Sequence, residues 1–200
     1  MSENSKIIAG RYELGELIGR GGMAEVYSGV DTRLGRTVAI KLLKADLAAD
    51  SSFEIRFRQE AQASARMAHP TIVRVYDAGD EVTLDSNGVE RHLPYIVMEL
   101  VRGEVLREIL RARKLTQQEA IAYATGVLTA LEFSHAAGVI HRDIKPSNII
   151  LLHLEKGGGT RLMDFGLAKI QGSMQLTQAG MVAGSPSYIA PEVWRAQPFD

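Results

Sequence analysis

Cysteine is absent from the 200 residues, which excludes a disulfide, a thiolate metal site and a catalytic thiol, and removes the usual ligands of a structural zinc. Also missing is any run approaching the ~20 apolar residues of a membrane span. The opening Met1-Ser2-Glu3-Asn4-Ser5-Lys6 lacks the apolar stretch of a secretion signal. Charge of one sign is lacking too. Its 23 basic and 24 acidic residues leave a formal −1, so there is no global positive field to hold nucleic acid or an anionic membrane. Any phosphate-bearing ligand must therefore be gripped locally. These absences lead us to expect a cytoplasmic chain with no nucleic-acid partner and no membrane insertion of its own. What is present is a hydrophobic content of 46%, enough to form a core for one domain or two small ones.

Residues 12 to 43 favour short extended segments, Tyr12 to Ile18, Ala24 to Val30 and Thr37 to Leu43, with a hairpin connection at 31–36. Asp50-Ser51-Ser52 can cap a helix running to about Met67, and Pro70 ends it. Strands are expected near 71–84 and 90–99, with Asp85-Ser86-Asn87-Gly88 as their turn. After Gly103 the character becomes helical. Leu106 and Leu110 suggest a short helix, and Thr116-Gln117-Gln118-Glu119 is a capping box opening a longer one. Ile121, Ala124, Leu128 and Leu131 read as that helix's apolar stripe, and Gly138 as its stop. Residues 141–192 read as loops and short strands, with Gly157-Gly158-Gly159 as a hairpin tip. The change near Gly103 marks the expected boundary between a unit at 1–102 and another at 103–200.

Four stretches carry chemistry. Ile18-Gly19-Arg20-Gly21-Gly22-Met23-Ala24-Glu25-Val26-Tyr27 sets glycines between two strands, where missing side chains let backbone N–H groups approach a polyphosphate. A dinucleotide fold is excluded because the chain continues as a strand and not as a helix. In Val38-Ala39-Ile40-Lys41, alternation puts Lys41 on the same face as Ala39 and Leu43. A lone lysine is ordinarily a solvated charge. Here the helix at 52–67 aligns Phe53, Phe57, Glu60, Ala61 and Ser64 on one face, so Glu60 needs a partner if buried, and Lys41 is the natural one. Val139-Ile140-His141-Arg142-Asp143-Ile144-Lys145-Pro146-Ser147-Asn148 and Met163-Asp164-Phe165-Gly166 complete the set. Either could be an ordinary charged turn if it stood alone.

Taken in order (glycine loop, strand lysine, helix glutamate, HRD, Asn, DFG, and Ala190-Pro191-Glu192), the motifs resemble the eukaryotic-like, Hanks-type serine/threonine protein kinases, most of all the bacterial members. The resemblance implies an α+β, bilobal protein-kinase-like fold. Its N-lobe is an antiparallel sheet with one helix, and its C-lobe is mainly helical and incomplete. It implies transfer of the γ-phosphate of ATP to Ser or Thr hydroxyls of protein substrates, with Mg²⁺, or Mn²⁺ in its place. Asp143 would accept or orient the hydroxyl proton, Lys145 would contact the transferring phosphate, and Lys41 paired with Glu60 would hold the α- and β-phosphates. Asn148 and Asp164 would be the metal ligands.

By the same resemblance Ile18, Gly19, Gly21, Gly22, Val26, Ala39, Lys41, Met98, Glu99, Val101 and Ile150 line the ATP site. Glu99 and Val101 supply hinge backbone groups, and Met98 controls access to the back of the pocket. Thr177 is the expected regulatory phosphosite, with Arg142 as the partner of its phosphate, ahead of Ser173 and Ser185. Autophosphorylation there would involve self-association. The resemblance extends from about Tyr12 to Pro198. A family member continues beyond Asp200 with a helix that anchors the catalytic loop and an arginine for Glu192, so the chain is expected to be a C-terminally truncated catalytic domain, whose parent could be membrane-tethered elsewhere. The alternative expectation is a truncated nucleotide-binding scaffold without turnover.

Overall fold

The structure, a computed structural model, describes residues 6–48, 50–84, 88, 90–152, 158–165, 186–195 and 197. Its first part is a six-stranded antiparallel sheet: β1 (Ile7–Ile8), β2 (Tyr12–Arg20), β3 (Ala24–Asp31), β4 (Arg36–Leu43), β5 (Val75–Leu84) and β6 (Glu90–Glu99), in the order β1-β2-β3-β4-β6-β5. Helix α1 (Ser51–Ala65) connects β4 to β5. It starts where expected, because the Asp50 carboxylate accepts from the Ser52 amide at 2.8 Å and satisfies an otherwise orphaned donor. Two features differ from the sequence expectation. The short strand β1 was not foreseen, and residues 71–74 stay outside β5, with Ile72 making an isolated parallel bridge to Leu162. Of the expected turn at 85–88, only Gly88 lies among the described residues.

Period-two alternation in β4 gives this sheet two different faces. Val38, Ile40 and Leu42 pack with Ile8, Tyr12, Tyr95 and Val97, while Leu43 packs with Ala24, Phe57 and Ala61 under α1. The face turned to α1 is the one that carries Lys41. At the far edge, Asp31 is buried and receives both Nε and Nη2 of Arg11, at 2.9 and 2.8 Å, tying the turn before β2 to the end of β3.

The second part carries β7 (Gly103–Val105), α2 (Leu106–Ala112), α3 (Gln117–Ala136), β8 (Ile149–Leu152), β9 (Thr160–Leu162) and α4 (Pro191–Trp194). β7, β8 and β9 make a small antiparallel sheet in that order. The capping box of α3 is formed: the Glu119 amide donates to Thr116 Oγ1 at 3.2 Å and the Thr116 amide to Glu119 Oε2 at 2.8 Å. Gly138, at φ +73°, takes the left-handed turn that ends the helix.

Of the expected stripe of α3, only Leu131 packs against the core in this 200-residue chain. Ile121 and Leu128 are 59% and 64% exposed and Ala124 is exposed as well, while Tyr123, Val127, Ala130 and Leu131 meet the core. The helix is apolar on more than one side, so periodicity alone did not choose the inner one. Of the expected glycine tip, Gly157 lies outside the described residues, while Gly158 and Gly159 have positive φ.

Candidate active site

The small sheet explains why two distant sequence motifs meet. Ile149 of β8 pairs with Leu162 of β9, so the residue before β8 and those after β9 emerge at the same end of the hairpin. Asn148 is the former and Asp164 follows the latter; the Met163 amide donates to the Asn148 carbonyl at 3.0 Å and closes that end. Asp164 has φ +63°, a left-handed conformation that turns its carboxylate back toward the large sheet. There it meets Lys41, whose Nζ lies 2.6 Å from Glu60 Oε1 and 2.9 Å from Asp164 Oδ1.

Lys41 and Glu60 are both buried, so each would be costly without the other. Burial works against the Lys41 ammonium, but the carboxylates of Asp164 and Glu60 outweigh it and keep the group charged well above the usual lysine range. Burial pushes the Glu60 carboxyl up to about 7, against the pull of Lys41 and with the help of the Asp164 charge. Burial also opposes ionisation of Asp164, yet Lys41 wins there and its pKa is lowered. One cation between two carboxylates thus drives them apart, leaving Asp164 the ionised member. The second oxygen of Glu60 finds no hydrogen-bond partner among the described residues.

The loop at 141–148 is pinned from both sides. The Asn148 side-chain amide donates to the Asp143 carbonyl at 2.9 Å and to Asp143 Oδ2 at 3.1 Å, and Lys145 Nζ lies 2.6 Å from the same carboxylate oxygen. His141 is buried, with its ring 4.6 Å from that of Phe165. Its Nδ1 accepts the Asp143 amide at 3.2 Å, so Nε2 carries the hydrogen and donates to the Met163 carbonyl at 3.0 Å. Burial lowers the His141 pKa, outweighing that carbonyl and the nearby carboxylates, and so favours this neutral form. Arg142 holds φ +64°, a costly conformation for a side chain of its size.

Above this loop stands the glycine-rich hairpin of β2 and β3, where Gly19 pairs with Val26 and Val26 with Lys41. Ala39 is buried opposite Met98, and Ile150 lies on β8 across from Val105. Ile18 is half-exposed. Met98 joins Glu60, Ser64, Val73, Val75, Ile96 and Asp164 around a narrow cavity. The amide of Glu99 is already spent on the Arg74 carbonyl at 2.8 Å, so that N–H is not a donor for a ligand. Val101 follows in the connection to β7. Thr177, Ser173 and Ser185 lie outside the described residues.

Two residues that the sequence reading passed over hold the hairpin. Lys44 Nζ donates to the Gly22 carbonyl at 3.1 Å at its tip, and Ser28 bonds both backbone groups of Glu16 at its base. A lysine three residues after Lys41 and a serine within a strand give no local signal of such contacts.

Hard oxygen donors, a fixed cation and a carboxylate braced by an amide and an ammonium are what phosphate chemistry requires. Asn148 and Asp164 bring side-chain oxygens, the hard donors that suit a divalent cation, to one end of the β8–β9 hairpin.

The protein kinase domain family matches residues 12–200. The chain belongs to that family. It is 48% identical to a probable serine/threonine-protein kinase of Streptomyces coelicolor over 201 aligned positions, covering 99% of this chain and 29% of the relative. With the probable serine/threonine-protein kinase PknB of Bifidobacterium longum, identity is 47%, over 97% of this chain and 28% of the relative. The chain therefore spans less than a third of the length of these curated relatives. Among solved structures, the PknI kinase domain of Mycobacterium tuberculosis superposes with a TM-score of 0.71 at 28% identity, covering 100% of this chain and 71% of that one. The α+β, kinase-like fold follows from these likenesses and from the sheet with its single helix. No helix of the described residues is long and apolar enough to cross a membrane.

Proposed function

We propose that this chain is the ATP-binding and phosphotransfer part of a serine/threonine protein kinase, with an N-lobe at 1–102 and the start of a C-lobe at 103–200. The observation that carries the reading is the convergence of Lys41, Glu60 and Asp164 at 2.6 and 2.9 Å, beside an Asp143 held by Asn148 and Lys145. In this reading Lys41 grips the α- and β-phosphates, while Ile18, Val26, Ala39 and Ile150 enclose the adenine. Glu99 and Val101 meet its edge through backbone groups other than the Glu99 amide. Asn148 and Asp164 would hold Mg²⁺, or Mn²⁺ on the same oxygen donors, and the ion would supply positive charge to neutralise the phosphates.

The substrate is a protein Ser or Thr. Its hydroxyl oxygen bonds to the γ-phosphorus as the β,γ-bridging P–O bond breaks and ADP departs, and the hydroxyl proton passes to Asp143 Oδ. Lys145, already against that carboxylate, supplies positive charge to the moving phosphoryl group. Autophosphorylation of Thr177, with Arg142 pairing the new phosphate, belongs to the same proposal, as does the transient self-association it needs.

The test is phosphate incorporation from Mg²⁺-ATP into a protein substrate by the full-length protein and its Asp143→Asn variant. Loss of about 10²-fold or more in the variant, with nucleotide binding kept, is expected. A variant that keeps its rate sinks the assignment of Asp143. A wild-type protein that binds ATP without turnover favours a nucleotide-binding scaffold instead.

A further inference from the structure

β2 does not run evenly along β3. Leu14 faces Gly29 and Leu17 faces Tyr27, so β2 advances three residues where β3 advances two. Gly19 then faces Val26, and the same mismatch recurs around Ile18. These are β-bulges, which bend the strand and re-aim the side chains that follow.

A bulge removes backbone groups from the ladder, and the first one is answered by a single hydroxyl. Ser28 Oγ accepts the Glu16 amide at 3.0 Å and donates to the Glu16 carbonyl at 3.3 Å. Room for that hydroxyl exists because residue 15 is glycine: a Cβ there would lie 2.9 Å from Ser28 Oγ and 3.2 Å from the Ser28 carbonyl oxygen. Gly15 and Ser28 are therefore matched, the one leaving space that the other fills. Downstream lie Ile18 and the glycines. The tip has its own bonds, from the Gly21 amide to the Ala24 carbonyl at 2.8 Å and from the Lys44 amide to the Met23 carbonyl at 3.0 Å. The tip can thus keep its shape while the base sets its direction.

We propose that Ser28 is a positioning residue for nucleotide: its hydroxyl fixes the bulge at Gly15-Glu16 and so sets the angle at which Ile18 and Gly19 meet the adenine and phosphates. This rests on the reading of the hairpin as the cover of an ATP site. One hydroxyl that bonds two backbone groups is worth about 1 kcal/mol, roughly fivefold in an equilibrium constant.

The experiment compares Ser28→Ala, Ser28→Val and Ser28→Thr in the full-length protein, reading KM for ATP, kcat, KM for the protein substrate and direct Mg²⁺-ATP affinity. Alanine and valine should raise KM and Kd for ATP about fivefold, with kcat and the protein-substrate KM unchanged. Threonine, which has valine's shape but keeps the hydroxyl, should restore both constants. Equal ATP affinity in all four proteins overturns the proposal, as does a loss in Thr equal to that in Val, which would make it a matter of bulk. A fall in kcat at unchanged KM overturns it as well. If wild-type protein binds no nucleotide, it is the ATP-site reading itself that fails, a result distinct from all of these.

Discussion

Glu60 and Asp164 grip one ammonium from two separate elements, Glu60 from α1 and Asp164 from the loop after β9, at 2.6 and 2.9 Å from Lys41 Nζ. The contact joins the large sheet to the small one through a single side chain. It also means that the lysine is oriented before any phosphate arrives, so less of the binding free energy is spent on ordering it.

Removing the shared cation should therefore cost more than removing either anion. Lys41→Met leaves two carboxylates facing each other in a buried site and is expected to destabilise the fold by about 3–5 kcal/mol. Glu60→Gln leaves Lys41 its bond to Asp164 and should cost less. Chemical denaturation of the two variants beside the wild type measures the order.

The protonation of Glu60 offers a second test. Its carboxyl should titrate near 7, because burial and then the Asp164 charge raise it. A raised acid pKa makes the folded state bind the proton more tightly than the unfolded one, so this group adds stability as the pH falls from about 7 toward the unfolded value near 4. Asp164→Asn removes the like charge, and the Glu60 midpoint should move down. The carboxyl carbon shift of Glu60 followed by NMR across this range reports both.

At the other edge of the sheet the sign is reversed. The Arg11 fork holds the Asp31 carboxyl down to about 2. Stability from this pair is fully present above the unfolded pKa of about 4 and is lost as the pH falls through about 2. Asp31→Asn should lower the Tm at neutral pH and flatten its dependence on pH between about 4 and 2.

The orientation of α3 can be checked by substitution. In the 200-residue chain, Leu128→Lys should change stability by no more than about 0.5 kcal/mol, since Leu128 is exposed there. Ala130→Leu should cost about 1–3 kcal/mol, because Ala130 is fully buried in the core and overpacking forces its neighbours to shift. The reverse order would restore the stripe that the sequence pattern suggests.

That stripe marks where sequence reading reached its limit. Caps and strands were legible because their signals are local: Asp50 two residues before Ser52, Thr116 three before Glu119, alternation along 38–43. The inner side of α3 was not, because Ile121 and Leu128 are as apolar as Val127 and Leu131, and only the partners Thr160 and Leu162 distinguish them. For the site, the motifs identified Lys41, Glu60, Asp143, Asn148 and Asp164 and led to the expected pairing of the first two. The bond from Lys41 to Asp164 spans 123 positions, and the Ser28 clasp depends on register; neither leaves a local trace.

The β8–β9 hairpin has one more consequence. Asn148 and Asp164 sit at one end of it, next to the Ile149–Leu162 rung, while the Leu151–Thr160 rung lies at the other end. The spacing of the two oxygen donors is therefore measured out by the ladder rungs between Ile149 and Leu162, much as a clothes peg's jaws are set by its spring and not by its handles.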